Sequence, residues 1–207
     1  MIKCIIFDCD GTLVDSEILY NRALSIKLKQ QGIELDAASL VARFRGVKLT
    51  AVLSSLEEEF DIKLSDDFID DYRALVSDLF REKLLPCEGV EPTLAQLEVA
   101  MCVATNGPMP KMKLALEVTN LSNYFKDNLF SAYQINSWKP EPDLFLHAAK
   151  SMGFMPTECL VVEDSVVGIQ AALAAGMRAI LYDPHLAHQD IDDVIRIKQF
   201  SELLSYL

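Results

Sequence analysis

Asp8 and Asp10 stand two residues apart just after the apolar run Cys4–Phe7, and Gly11 and Thr12 follow them. In an extended chain residues i and i+2 point the same way, so the two carboxylates are expected to converge on one spot. Like charges held together repel unless something cationic lies between them, which makes such a pair a poor structural device and a useful chemical one. A second acidic pair, Glu163-Asp164, follows the apolar run Leu160-Val161-Val162 and precedes Ser165, a residue suited to capping a helix. Hard oxygen donors of this kind suit Mg²⁺, which keeps several waters and uses few protein carboxylates. Soft-metal sites are not expected, because His147, His185 and His188 fit no zinc spacing.

Two further segments supply what an anionic substrate needs. Val103-Ala104-Thr105-Asn106-Gly107 sets a hydroxyl and successive backbone N–H groups just before a helix, an arrangement that cradles phosphate oxygens. Trp138-Lys139-Pro140-Glu141-Pro142 holds a lysine between rigid residues at the start of another helix, and with Mg²⁺ it would nearly balance the four acids. Each piece alone also suits an ordinary role: an acidic turn, a strand-to-helix turn, a solvated lysine in a proline-rich turn. Their combination is what points to chemistry.

The elements that must position these residues follow from short apolar runs rich in β-branched residues. Cys4–Phe7, Met101–Thr105, Leu160–Val162 and Ala179–Leu181 have the length and content of buried strands. Helical segments follow most of them, with Pro110 and Pro142 read as first helical residues and Gly153 and Gly176 as helix-ending residues. Strands alternating with helices imply an α/β fold: a parallel sheet core with helices on both faces. In such sheets ligands bind beyond the carboxyl ends of the strands, where both acidic pairs would lie. One interval breaks the alternation. About 90 residues separate the first two strands, far more than the dozen or so a crossover needs. Apolar stripes at Leu19, Ala23 and Ile26, at Val52, Leu53, Leu56 and Phe60, and at Phe68, Tyr72, Leu75 and Leu79 read as helices. The expected organisation is a core domain of residues 1–14 and 87–207 interrupted by an all-helical insertion, residues 15–86.

Charge narrows the partners. The 207 residues carry 31 Asp+Glu against 19 Lys+Arg, a formal net charge of −12, which argues against nucleic acid or an anionic membrane as partner. Residues 57–71 hold a cluster of acids with the single base Lys63, the pattern of a solvated helix surface. No run of about 18 apolar residues occurs, so no membrane span is expected. The five cysteines form no Cys-x-x-Cys pair and read as free, buried thiols of a cytoplasmic protein, Cys9 among them despite its two acidic neighbours.

The motifs Asp8-Cys9-Asp10-Gly11-Thr12-Leu13-Val14-Asp15-Ser16, Thr105-Asn106, Lys139-Pro140 and Glu163-Asp164-Ser165, in this order, resemble those of the haloacid dehalogenase superfamily. Within it the chain is similar to the β-phosphoglucomutase-like group, whose members carry a helical cap after the first strand. Arg43-Phe44-Arg45-Gly46-Val47-Lys48 and Thr105-Asn106-Gly107-Pro108 look most like the bacterial 6-phosphogluconate phosphatase branch. The resemblance spans nearly the whole chain and implies a Rossmann-like core with an inserted all-helical cap domain. It implies that Asp8 attacks phosphorus to form an aspartyl-phosphate and that Asp10 serves as acid and then base. It implies Mg²⁺ held by Asp8, the backbone carbonyl of Asp10 and Asp164, with Glu163 as a ligand or behind one. Thr105, Asn106, Gly107 and Lys139 would hold the phosphate, and Arg45 and Lys48 would reach a second acidic group on the substrate. The implied partner is a small phosphorylated metabolite, a sugar phosphate or phosphorylated sugar acid such as 6-phosphogluconate, and the implied assembly is a monomer or weak dimer.

Two other functions compete. A β-phosphoglucomutase-type mutase would carry Ser-Lys where this chain has Gly107-Pro108 and an arginine where it has Leu49, so phosphatase is expected over mutase. A receiver-like phospho-acceptor signalling module also groups acids, Thr and Lys at the rim of a parallel sheet. Here, however, the second acidic pair follows the lysine and a large insertion interrupts the core.

Overall fold

The computed structural model describes every residue except 45, 46, 48 and 189–193. Six strands form one parallel sheet: β1 (Cys4–Phe7), β2 (Ala100–Thr105), β3 (Leu129–Ser131), β4 (Cys159–Glu163), β5 (Arg178–Tyr182) and β6 (Ile195–Ile197), in the order β3-β2-β1-β4-β5-β6. The four apolar runs read from the sequence are strands. The short β3 and β6 were not expected; each is three residues long, lies at a sheet edge and is buried only at its last residue. The direction of winding reverses between β1 and β4, so their carboxyl ends open the crevice where such sheets bind ligands.

Helices α1 (Glu17–Gln30), α2 (Ala37–Phe44), α3 (Leu49–Phe60), α4 (Phe68–Lys83) and the short α5 (Val90–Leu94) lie between β1 and β2. After β2 come α6 (Met109–Val118), α7 (Ser122–Phe125), α8 (Ala132–Ile135), α9 (Asp143–Met152) and α10 (Val166–Ala174). Alternation along the strands divides the core between the two sheet faces. Cys4, Ile6, Cys102, Ala104, Cys159 and Val161 meet Phe145 and Ala148 of α9 and Ile169 and Ala172 of α10. On the other face Phe7 meets Phe125 edge-on, ring centroids 5.9 Å apart, and stacks on Phe200 at 6.0 Å. Gly153, at φ +82°, closes α9 in the left-handed region that glycine adopts without strain. Pro110 and Pro142 sit one position away from their expected places: second in α6, and just before α9.

The chain divides into two compact units, Met1–Asp15 with Leu85–Leu207, and Ser16–Leu84. Val14 bridges to both Asp10 and Pro86, and Asp15 N–H donates to the Leu85 carbonyl at 3.0 Å. The outgoing and returning segments are therefore paired inside the sheet unit, which sets the junctions at 15/16 and 84/85 beside the expected 14/15 and 86/87. Within the helical unit α1 packs on α2 and α4, burying Leu19, Ala23, Leu24 and Leu28, with the Tyr20 and Phe80 rings 5.4 Å apart. Ile26 is 37% exposed, because the buried stripe of α1 runs through Leu24 and Leu28 instead. Asp71 pairs with Lys27 and Glu59 with Arg43, while the other acids of 57–71 are exposed except for the half-buried Glu57. All five cysteines are free and buried. No helix among the described residues is long and apolar enough to cross a membrane.

Phe7 is fully buried between two rings and is the last residue before the acidic segment. Phe7→Ala is expected to destabilise the protein by about 3–5 kcal/mol, read as a lower denaturant midpoint at unchanged m value. A loss under about 1 kcal/mol would show that the ring cluster does not anchor β1.

Candidate active site

Lys139 is the most enclosed cation of the site, its side chain 2% exposed. An ammonium has three hydrogens to donate, and each has a partner. They go to Asp8 Oδ1 at 2.5 Å, Glu163 Oε1 at 2.7 Å and the Ala104 carbonyl at 2.9 Å. The Phe145 ring lies 4.8 Å below the ammonium and completes the enclosure. The backbone of Lys139 is held as firmly. Its N–H donates to Asn106 Oδ1 at 2.9 Å, and Asn106 Nδ2 donates to its carbonyl at 3.3 Å. Asn106 thus ties the turn after β2 to the loop before α9, a side-chain role that the motif reading, concerned with backbone N–H groups, did not anticipate.

The two acidic segments are fixed by their turns. β1 ends at Phe7, so strand alternation does not place Asp10; a tight turn does. Leu13 and Val14 N–H groups donate to the Cys9 carbonyl, and Gly11 N–H donates to that of Val14. Gly11 sits at φ +80°, and a Cβ there would fall 2.1 Å from Asp164 Oδ2, so glycine is required both for the turn and for the approach of Asp164. Thr12 Oγ1 donates to Asp164 Oδ1 at 3.2 Å. Ser165 caps α10 by accepting from Gly168 N–H at 3.1 Å, while its own N–H and hydroxyl donate to Glu163 Oε2 at 2.8 and 2.7 Å. Both Glu163 oxygens are therefore committed, one to Lys139 and one to Ser165. Thr105 closes β2 with its hydroxyl accepting from Gly107 N–H at 3.0 Å, and the Gly107 carbonyl accepts from Ser131 Oγ at 2.6 Å.

Electrostatics follow from burial. Burial pushes the Asp8 carboxyl up to about 7 against the pull of Lys139, with Glu163 and Asp10 adding to the rise. Burial, then Glu163 and Asp8, drive Asp164 well above the carboxylate range. Burial opposes the charge of Lys139, but Asp8 and Glu163 outweigh it and hold the ammonium above the ordinary lysine value. Cys9, pushed well up by burial and by the flanking acids, stays a thiol.

Asp8, Asp10, Thr105, Asn106, Gly107, Lys139, Glu163 and Asp164 thus all belong to the sheet unit, at the carboxyl ends of β1, β2 and β4 and the loop before α9. Arg45 and Lys48 lie outside the described residues. The sequence reading missed Lys111, whose ammonium donates to Asp10 Oδ2 at 2.6 Å. Burial lowers its hold on a proton, yet Asp10 keeps it above the ordinary lysine value. One local signal existed: Lys111 occupies the first turn of α6, where the helix dipole disfavours a cation that lacks an acidic partner.

Comparison with known proteins shows the family. The haloacid dehalogenase-like hydrolase family model matches residues 2–176. The chain is 38% identical to the 6-phosphogluconate phosphatase of Escherichia coli K12, over 98% of this chain and 94% of that protein. A conserved haloacid dehalogenase-like protein of unknown function from Agrobacterium tumefaciens has the same fold with a TM-score of 0.86 and 32% identity, covering 100% of this chain and 97% of that one. A haloacid dehalogenase family hydrolase from Deinococcus radiodurans, solved with bound phosphate and sodium, matches with a TM-score of 0.78 and 27% identity, over 98% and 93% of the two chains.

Replacing a helical glycine by alanine ordinarily stabilises by up to about 1 kcal/mol. At Gly168 a Cβ would lie 2.0 Å from Glu163 Oε1, and Glu163, bound at both oxygens, has nowhere to move. Gly168→Ala is therefore expected to destabilise by about 1–3 kcal/mol; a chemical-denaturation midpoint at or above wild type would show that Glu163 is not held as described.

Proposed function

The chain belongs to the haloacid dehalogenase-like hydrolases, and we propose that it is a Mg²⁺-dependent phosphatase acting on a small phosphorylated sugar or sugar acid, such as 6-phosphogluconate. The observation that carries the reading is the sealed Lys139 ammonium bound to Asp8, the carboxyl proposed as nucleophile. Full-length similarity to a 6-phosphogluconate phosphatase supports the substrate class.

The chemistry divides into two displacements. A carboxylate oxygen of Asp8 attacks phosphorus as the bond from phosphorus to the sugar oxygen breaks, and the Asp10 carboxyl gives its proton to that departing oxygen. Water then attacks the aspartyl-phosphate and gives a proton to Asp10 as the phosphorus–oxygen bond to Asp8 breaks. Inorganic phosphate leaves, and both carboxyl groups return to their starting state. Lys139, Thr105 and the Asn106 N–H offset the charge on the transferring oxygens, and enclosure makes that offset strong. Arg45 and Lys48 are the proposed contacts to a second acidic group of the substrate.

The donor set fits Mg²⁺. Mg²⁺ binds through one or two carboxylates and completes its shell with water and phosphate oxygens. Asp8, the Asp10 backbone carbonyl and Asp164 would hold it, with Glu163 behind them because its oxygens serve Lys139 and Ser165. When bound, Mg²⁺ neutralises the charge between nucleophile and phosphate.

Phosphate release from a panel of sugar and sugar-acid phosphates is expected to require Mg²⁺, to favour substrates carrying a carboxylate over neutral analogues, and to fall about 10³-fold or more in Asp8→Asn. Comparable turnover by that variant would overturn the mechanism, and equal rates on acidic and neutral substrates would overturn the substrate class. Independently of turnover, Mg²⁺ is expected to raise the thermal midpoint of the wild type and to leave that of Asp164→Asn unmoved; equal shifts in both would remove Asp164 from the metal site.

A further inference from the structure

Lys111 lies outside the four motifs, yet it contacts a residue at the centre of the proposed chemistry. Its ammonium and the Asp10 carboxylate are 2.6 Å apart, with side chains 22% and 24% exposed, at the open side of a site whose other lysine is sealed. Three observations show that the chain is built around this contact. Lys111 stands in the first turn of α6, against the positive end of the helix dipole, a position whose cost the Asp10 charge offsets. Its side chain runs across Gly107, where a Cβ would come within 2.7 Å of Nζ and 2.8 Å of Cε, so a side chain at 107 would push the ammonium off this path. The backbone of Gly107 is in turn pinned, its N–H to Thr105 Oγ1 and its carbonyl to Ser131 Oγ, which fixes the base from which Lys111 reaches out.

We propose that Lys111 is the positioning residue of Asp10: by holding Oδ2 it fixes the plane and reach of the carboxyl that protonates the leaving oxygen. The inference rests on the phosphatase reading above. An oxygen that accepts from an ammonium does so whether or not the other oxygen of the same carboxyl carries a proton. Lys111 can therefore keep hold of Oδ2 through both displacements, while the remaining oxygen gives its proton to the sugar alkoxide and takes one back from the attacking water. Without the anchor the short Asp10 side chain turns about its two torsions, and a shift of about 1 Å at a reacting group costs about 10²-fold in rate.

Leaving-group chemistry separates this role from a merely structural one. A sugar alkoxide departs only with a proton, whereas p-nitrophenolate departs without one. Single-turnover release of the alcohol from a sugar phosphate, and of p-nitrophenol from p-nitrophenyl phosphate, isolates the first displacement in the wild type, Lys111→Met and Lys111→Arg. Lys111→Met is expected to slow alcohol release about 10²-fold, to slow p-nitrophenol release less than about threefold and to leave substrate affinity within about threefold. Lys111→Arg, which restores a cationic donor, is expected to recover most of the alcohol rate. Equal losses on both substrates, or wild-type rates on both, would overturn the positioning role. Should Lys111→Met not fold, Lys111→Ala carries the same contrast, since it too removes the donor to Asp10. A wild type inactive on both phosphate esters would overturn the phosphatase reading itself, and this inference with it.

Discussion

One buried ammonium organises the carboxyl end of the sheet. Lys139 binds Asp8, which follows β1, the Ala104 carbonyl in β2, and Glu163, the last residue of β4. A single side chain thus ties together the ends of the three central strands. Enclosing a charge is costly, and the cost is met only when geometry is good and every donor is used. That condition reaches outward through the structure. It requires the Asn106 clamp on the Lys139 backbone, because a lysine whose main chain wandered could not keep three partners. It requires Ser165 to hold the second oxygen of Glu163, because a glutamate bound at one oxygen alone could rotate away. The cap of α10 and the position of the inner lysine are consequently one network, and a change at either end is felt at the other.

Three glycines form the negative image of this network. A Cβ at Gly11 would meet Asp164, one at Gly107 would meet Lys111, and one at Gly168 would meet Glu163. In each case the space a side chain would occupy is taken by a charged group from elsewhere in the chain or from the next turn. Gly11 alone of the three also needs a left-handed backbone. At Gly107 and Gly168 the bare position serves approach rather than conformation, and only at Gly168 is the approaching group held at both oxygens and unable to give way.

Much of the site was legible in the sequence because its signals are local. An apolar run that stops at an acidic pair marks a strand and its carboxyl end together, and this holds at Phe7-Asp8 and at Val162-Glu163-Asp164. β1, β2, β4 and β5 were readable as continuous apolar runs, whereas β3 and β6 are three-residue edge strands whose pairing depends on neighbours already in place. The convergence of Asp8 with Asp10 was anticipated for an incomplete reason: the strand ends at Phe7, and the turn built on the Cys9 carbonyl does the rest. Lys111 was missed because its partner is 101 residues away: a cation in the first turn of α6 signals the need for an acidic partner, but no periodicity says which one. The Asn106 clamp on Lys139 is equally non-local, spanning 33 residues. Ile26 was misplaced because a three-point stripe in a helix does not distinguish it from Leu24 and Leu28.

The electrostatic state of the site also explains how an acidic protein can receive an anion. Four carboxylates, Asp8, Asp10, Glu163 and Asp164, face two ammonium groups, Lys139 and Lys111, which leaves the cluster short of neutrality by the charge of one divalent cation. Burial raises Asp8 and Asp164 first of all, and the deficit adds to that rise because neither has a lysine to itself. Asp164, whose described side-chain partner is the Thr12 hydroxyl, is driven well up, and Asp8, which shares Lys139 with Glu163, rises to about 7. Asp10 has its own lysine at the mouth, and that pair is local to the open side of the site. A divalent cation held by Asp8 and Asp164 would therefore relieve the two most strained acids at once. The net charge of −12 does not oppose this, since exposed charges beyond about 10 Å are screened and the enclosed groups set the field that the substrate meets.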